Sequence, residues 1–425
     1  MARAVTFRQD PDPTPSDSRL DRLFRTEGGR VLARLARQLG PGRLDLAEDA
    51  VTRALVAAAR LWRIRGLPND PAAGLYRIAW NKAADLLREQ PGEAEPLCGA
   101  GIAAWPSARR GLDDDLLSLV FLCSHPALPE AARATLMLKA VLGFGVAEIG
   151  VSLRDTDMAV AERLSQGRRT IRERGLPLEL PSGRALLPRL NGVLATIHLA
   201  FSEAYATARG ERAVRAEICT ELVRLARGLA DHPLTETPTA HALAALMPLQ
   251  AARLPAIDDA GEIALLADLD RRQWDRHLIA IGLHHLERAA SGGTLSAYHL
   301  EAGIAAEHAV APSHAATDWP AIRGYYDALV RLRPTPLVRL NRAVAVAETD
   351  GPAAGLQALA GLQSEPRLAA DPYLSAAAAE FLARLGQREA AAEAFGRAIM
   401  LARTLPERRL LQRRLDALAM PAASL

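Results

Sequence analysis

The sequence predicts an all-α protein, and three observations predict it. Hydrophobic residues make up 49% of the chain but aromatic residues only 4%. Alanine, leucine and arginine dominate while β-branched residues are sparse, a composition that favours helix. Apolar residues recur at three- and four-residue spacing. Proline, glycine and aspartate turns then cut the chain into helices of about 12–20 residues.

At 425 residues the chain exceeds one ordinary core and implies two or three domains. The formal net charge is +3, so any nucleic-acid surface must be a local patch. Cys98, Cys123 and Cys219 form no CxxC pair and no zinc spacing, which fits a reduced, cytoplasmic protein. Cys123 is expected to be buried rather than to act as a nucleophile with His125. The N-terminal "MARAVTFRQDPDPTPSDSR" carries no apolar h-region, so no secretory signal is expected. An uncharged apolar run of about 18 residues is absent, so no membrane span is expected either.

Residues 1–18, rich in Pro, Asp and Ser, are expected to be loose. Helical patterns fill 20–89, broken at Gly40–Arg43 and Gly66–Pro71. One of these helices, Leu44–Trp62, has Glu48 and Asp49 near its start. The glycines of "EGGR", Glu27–Arg30, lie inside a helical pattern and are too short a run to bind phosphate. The Pro/Gly-rich stretch Glu89–Gly111 reads as a linker. Helices resume from Asp113 to Arg174, and Gly175–Gly183 punctuates again.

From Arg184 to Leu425 short helices follow one another. Pro336–Leu362 and Pro372–Ala402 look repetitive, with turns at Gly351 and Gly386 about one tetratricopeptide period, near 34 residues, apart. In the second unit Ala379, Ala391, Phe395 and Ala398 supply small residues where paired helices approach and an aromatic to fill the gap. The helices Trp274–Ser291 and Trp319–Leu332 fit that repeat only loosely.

Val146 to Gly175 reads as a helix-turn-helix. Val146, Ile149 and Leu153 point inward, Arg154–Thr156 breaks the pattern, and Asp155 or Thr156 caps the second helix. Val160, Leu164 and Ile171 form one apolar stripe on it, at i, i+4 and i+11. A recognition helix turns its N-terminal half to base edges and its flanks to phosphates. Arg154, Thr156, Asp157, Ala159 and Arg163 therefore face the groove, and Arg168 and Arg169 suit the backbone. An αα-hairpin with a solvated basic face is the competing reading, and Glu162 would oppose phosphate.

His277, His284 and His285 share a predicted helix, with Glu287 and His299 nearby. Without an HExxH pattern they read as surface histidines, and no metal or cofactor is expected. The chain has no P-loop, GxGxxG or GxSxG, so an enzyme is not expected.

"AEDAV" (Ala47–Val51), "PAAGLYRIAWNKAADLLRE" (Pro71–Glu89), "FLCSHPALPEAARATLMLKAVLGFGVAEI" (Phe121–Ile149) and "ERLSQGRRTIRERGLP" (Glu162–Pro177) occur in that order. Together they resemble the extracytoplasmic-function sigma factors of bacterial RNA polymerase, in the branch with a long C-terminal helical extension. "IHLAFSEAY" (Ile197–Tyr205), "DLDRRQWDRHLIAIGLHHLERA" (Asp268–Ala289), "TDWPAIRGYYDAL" (Thr317–Leu329) and "LNRAVAVAETDGPAAGL" (Leu340–Leu356) look like that extension. The resemblance implies a clamp- and −10-binding domain at 19–90, a linker at 91–112 and a −35-reading domain at 113–178. A tetratricopeptide-like helical domain would follow at 179–425.

It also implies core RNA polymerase and promoter DNA as partners. Asp45, Glu48 and Asp49 would face the polymerase, and Tyr76, Arg77, Trp80, Asn81, Lys82 and Arg88 the −10 strand. Cations beside aromatics suit a melted strand, although the i, i+4 spacing equally fits core packing for at least one of Tyr76 and Trp80. The C-terminal domain would regulate the factor, covering its DNA-binding faces or docking a protein or small-molecule regulator. Against the family pattern, Gly74 replaces a tryptophan, Glu162 a glutamine, and Gln166-Gly167-Arg168 an Arg-Ala-Lys. The alternative is a sigma-shaped protein recruited as an interaction scaffold or for another non-transcriptional role.

Overall fold

The computed structural model describes residues 15–89, 112–153, 155–206, 212–254, 265–293, 295–365, 368 and 371–419. Among the described residues every regular element is helical and no strand occurs. Contacts divide the chain into two compact units, Met1–Glu203 and Ala204–Leu425. No helix of the described residues is long and apolar enough to cross a membrane.

In the first unit α1 spans Pro15–Leu39 and begins inside the stretch expected to be loose. Gly40, at φ 84°, takes the left-handed turn that a side chain would resist, and a 3-10 turn at Pro41–Arg43 leads into α2, Leu44–Arg65. Asp70 Oδ1 accepts from Ala73 N at 2.9 Å and starts α3, Pro71–Glu89, with Pro71 at its first position. The helices α2 and α3 bury alanines along their length, Ala47, Ala54 and Ala58 on one and Ala72, Ala79 and Ala83 on the other. Trp62 of α2 fills the space over Gly74, where a Cβ would stand 3.4 Å from its ring.

Asp113 caps α4, Asp114–Cys123, by accepting from Leu116 N at 2.8 Å. Cys123 lies in the core as expected, and burial pushes its thiol pKa up; Cys98 falls outside the described residues. The helix α5, Glu130–Leu136, widens into a π turn at Met137–Val141, closed by Leu142 N donating to Met137 O at 3.2 Å. Then come α6, Val146–Leu153, α7, Asp157–Glu173, and α8, Leu186–Ala206.

Segments 19–89 and 113–178 pack on one another through α1. Gly29 brings α1 so close to the π turn that a Cβ there would run into the Val141 carbonyl. Arg30 pairs with Asp113 at 3.0 Å, Arg34 and Arg37 with Asp115 at 3.3 and 2.6 Å, and Arg25 with Glu148 at 3.0 Å.

The second unit continues with α9, Arg212–Asp231, α10, Pro238–Ala251, α11, Arg276–Ala289, and α12, Ala297–Val310. Its later helices are α13, Trp319–Leu332, α14, Pro336–Asp350, α15, Pro352–Ala360, α16, Pro372–Arg384, α17, Arg388–Leu401, and α18, Leu405–Ala419. Helix α10 is apolar all round and sits inside this unit's core. Ala379, Ala391, Phe395 and Ala398 are buried together at the α16–α17 pair, and Gly351 and Gly386 turn at positive φ.

One boundary shifts and one expectation fails here. The helix expected from Trp274 starts at Arg276, because Asp275 caps it by accepting from His277 and Leu278 N–H groups. Trp274 itself packs beside Ala245 and Leu249. His285 is not a surface histidine. Gly282, one turn earlier, lets α11 close onto Leu249 of α10 and turns His285 into the interior. His277 and His284 remain exposed, while His299 Nδ1 accepts from Ser296 N at 3.1 Å in a capping box.

Candidate nucleic-acid interface

The site is built on α6, the connection at 155–156 and α7. Thr156 caps α7 by accepting from Ala159 N at 3.2 Å. Asp155 N donates back to Gly150 O at 2.8 Å, which tightens the turn. Val160, Leu164 and Ile171 are buried as one stripe, with Gly167 between them. A Cβ on Gly167 would lie 2.7 Å from Leu136 Cδ1. Gly167 therefore sets how closely α7 approaches α5.

The stripe fixes what the opposite face presents. Thr156, Asp157 and Arg169 are exposed and Ala159 is half-buried. Glu162 is exposed among them. Arg163 pairs with Asp155 at 2.5 Å. Arg154 falls outside the described residues. The sequence reading missed Met158, 81% exposed on the first turn of α7; its signal was its place two residues after the Thr156 cap.

Arg168 behaves differently from Arg169. It donates to the carboxylate of Glu48 on α2, and Arg172 lies 3.5 Å from Asp45. Glu48, expected to face the polymerase, is buried, while Asp45 and Asp49 are exposed. Burial raises the Glu48 carboxyl above the usual carboxylate range, against the opposing pull of Arg168 and Lys139. Glu48, Thr52, Arg25, Lys139 and Glu148 help line a cavity of about 200 Å³. That is below the roughly 300–1,000 Å³ of ordinary small-molecule sites, so it suits water or a small ion better than a nucleotide.

On α3 the core claims both rings. Tyr76 and Trp80 are buried, 6.1 Å apart between centroids, with the Arg34 guanidinium 5.7 Å from the Tyr76 ring. Neither offers a face to a base, so the core packing expected for at least one of them holds for both. Arg77, Asn81 and Arg88 are exposed and Lys82 is half-buried. Lys82 and Arg88 share Asp85, at 3.8 and 2.7 Å.

Comparison with known proteins adds two matches. Residues 189–290 match a family described as of unknown function (DUF6596). A protein of Rhizobium meliloti (strain 1021) described as "Uncharacterized protein R00370" is 36% identical over 392 residues, covering 90% of this chain and 92% of that one.

Proposed function

We propose that this chain, which belongs to the same family as the Rhizobium meliloti protein, is a sigma factor. It directs bacterial core RNA polymerase to specific promoters. The helices α6 and α7 carry this reading: a capped recognition helix, held by a buried stripe, with Thr156, Asp157 and Arg169 exposed on the opposite side. The exposed cations Arg77 and Arg88 of α3 supply charge for the −10 strand. On α2, Val56, Leu61 and Ile64 are solvent-exposed apolar side chains, Ile64 at 86%, a surface suited to a protein partner. Helices of 179–425 regulate the factor by docking a protein or small-molecule regulator.

A second reading has support of its own. Burial of Tyr76 and Trp80, and the pairing of Glu48 with Arg168, take side chains away from both partners. They favour a sigma-shaped scaffold with a non-transcriptional role. Two assays separate the readings: capture of purified core polymerase, and promoter-selective run-off transcription with Arg163→Ala as the control. Capture with run-off that Arg163→Ala impairs supports the sigma factor. Absence of both supports the scaffold.

A further inference from the structure

Three side chains far from the helix-turn-helix converge where α9 ends, α10 begins and α11 passes. The Nδ1 atoms of His241 and His285 lie 2.9 Å apart, with the rings stacked at 5.2 Å between centroids. Asp231 brings a carboxylate oxygen to the pair, and the three donor atoms lie within 4.8 Å of one another. His241 and His285 are 3% and 2% exposed, while Asp231 is exposed and leaves one side open.

The sequence builds this locally. Asp231 is the last residue of α9, and Thr235 Oγ1 ties the following turn back to Leu229 O at 2.6 Å. Thr237 caps α10, so His241 follows one turn into the helix. Gly282 allows the close approach of α11 that faces His285 to it.

A hydrogen bond between the imidazoles explains the 2.9 Å separation. It does not explain the carboxylate, nor the other edge of His241. With a lone pair on Nδ1, the His241 proton sits on Nε2. That atom is buried without a hydrogen-bond partner and faces Glu236 Oε1 at 3.8 Å. A carboxylate behind the far nitrogen is the usual companion of a metal-bound imidazole, where it fixes the tautomer. Burial lowers the pKa of both rings, that of His285 to about 4, so both are neutral ligands at pH 7.

We infer that Asp231, His241 and His285 form a site for a divalent transition metal of the zinc class, with Glu236 holding the His241 tautomer. Two imidazole nitrogens and one carboxylate oxygen are a zinc donor set that leaves the fourth position to water. Tetrahedral bonds of about 2.0–2.1 Å set two nitrogens about 3.3 Å apart, so the 2.9 Å pair need open by only about 0.4 Å. Arg288 sets the competition, since it pairs with Asp231 at 3.0 Å and Glu236 at 2.7 Å. A dication here meets two guanidiniums, Arg288 on the His241 side and Arg227 on the His285 side, and two carboxylates, and takes a share of Asp231 from Arg288.

The full chain, stripped with a chelator, is titrated with Zn²⁺ against a chromogenic competitor and with Co²⁺ read by visible absorption. We expect one Zn²⁺ per chain, a higher thermal midpoint on loading, and a Co²⁺ d–d band of mixed nitrogen and oxygen coordination. The double variant His241→Gln/His285→Gln loses the site, and Glu236→Gln weakens it by about tenfold. Arg288→Gln tightens it. If the buried double variant fails to fold, Asp231→Asn at the exposed edge decides, and weaker uptake is expected. No stoichiometric uptake by the folded wild type, or uptake unchanged in a folded ligand variant, overturns the assignment.

Discussion

Arg168, on the helix implied to meet DNA, donates to the carboxylate of Glu48, on the helix implied to meet polymerase. Arg172 with Asp45 repeats the pairing between the two helices at 3.5 Å. Removing one partner of a buried pair leaves the other charge uncompensated. Arg168→Met is expected to destabilise the first unit by about 3–5 kcal/mol in urea unfolding. Glu48→Gln removes the buried charge and is expected to cost less, because the amide still accepts from Arg168.

The same pair sets a pH dependence. Burial raises the Glu48 carboxyl, so only between its unfolded and folded pKa values does the folded chain keep a proton that the unfolded chain has lost. Its contribution to stability is complete below the unfolded carboxylate pKa of about 4.3 and is lost as pH rises through the folded value. Glu48→Gln is expected to remove that part of the decline. An unchanged slope of unfolding free energy against pH on the alkaline side of the carboxylate range would refute the assignment.

Adjacent glycines in α1 are expected to respond with opposite signs. A Cβ on Gly28 meets nothing within 4 Å, whereas one on Gly29 strikes the Val141 carbonyl. Gly28→Ala should stabilise by about 0.5–1 kcal/mol through backbone entropy. Gly29→Ala should destabilise by about 1–3 kcal/mol or more, since backbone must move to admit the methyl. Denaturant midpoints of the two variants check both signs in one experiment.

These contrasts show what the sequence could and could not tell. The Thr156 cap and the stripe of Val160, Leu164 and Ile171 are local devices, so their spacing alone predicts them. Gly351 and Gly386 are legible for the same reason, as single-residue turns. Glu48 and Arg168 lie 120 residues apart, and no local period reports such a partner. His241 and His285, 44 apart, belong to different helices, and only the Gly282 approach brings them together. At Tyr76 and Trp80 the spacing fits a core face and a binding face equally, and only tertiary packing decides between them.

If α7 reads promoter DNA, two exposed positions should change affinity without changing stability. Arg169→Ala removes one phosphate cation, and the slope of log affinity against log salt should fall in magnitude by about 0.9. Glu162→Gln removes an anion from the same surface and should tighten binding. Both should leave unfolding free energy within about 0.5 kcal/mol of wild type. Binding to a promoter duplex across a salt series supplies the measurement. Equal slopes for Arg169→Ala and wild type would exclude α7 as the phosphate-contacting element.

His308 gives the second unit an acid-sensitive joint. Its ring is buried edge-on to Trp319, 5.4 Å between centroids, and Nδ1 has no hydrogen-bond partner. Arg271 donates to its carbonyl at 2.8 Å and, with Arg253 and His314, adds to burial in opposing a second positive charge. These effects push the imidazole down to about 3. The unfolded chain binds this proton near pH 6.5 and the folded chain does not, so stability is complete above about 6.5 and falls with acidification towards about 3. Each such histidine contributes a slope of about 1.4 kcal/mol per pH unit inside that window. His285, pushed down to about 4, adds its own share. His308→Gln should therefore reduce the acid slope by about one proton's worth and leave the remainder. Urea unfolding between pH 4 and 6.5 tests this, and an identical slope in the variant would mean that the buried ring titrates as freely as an exposed one.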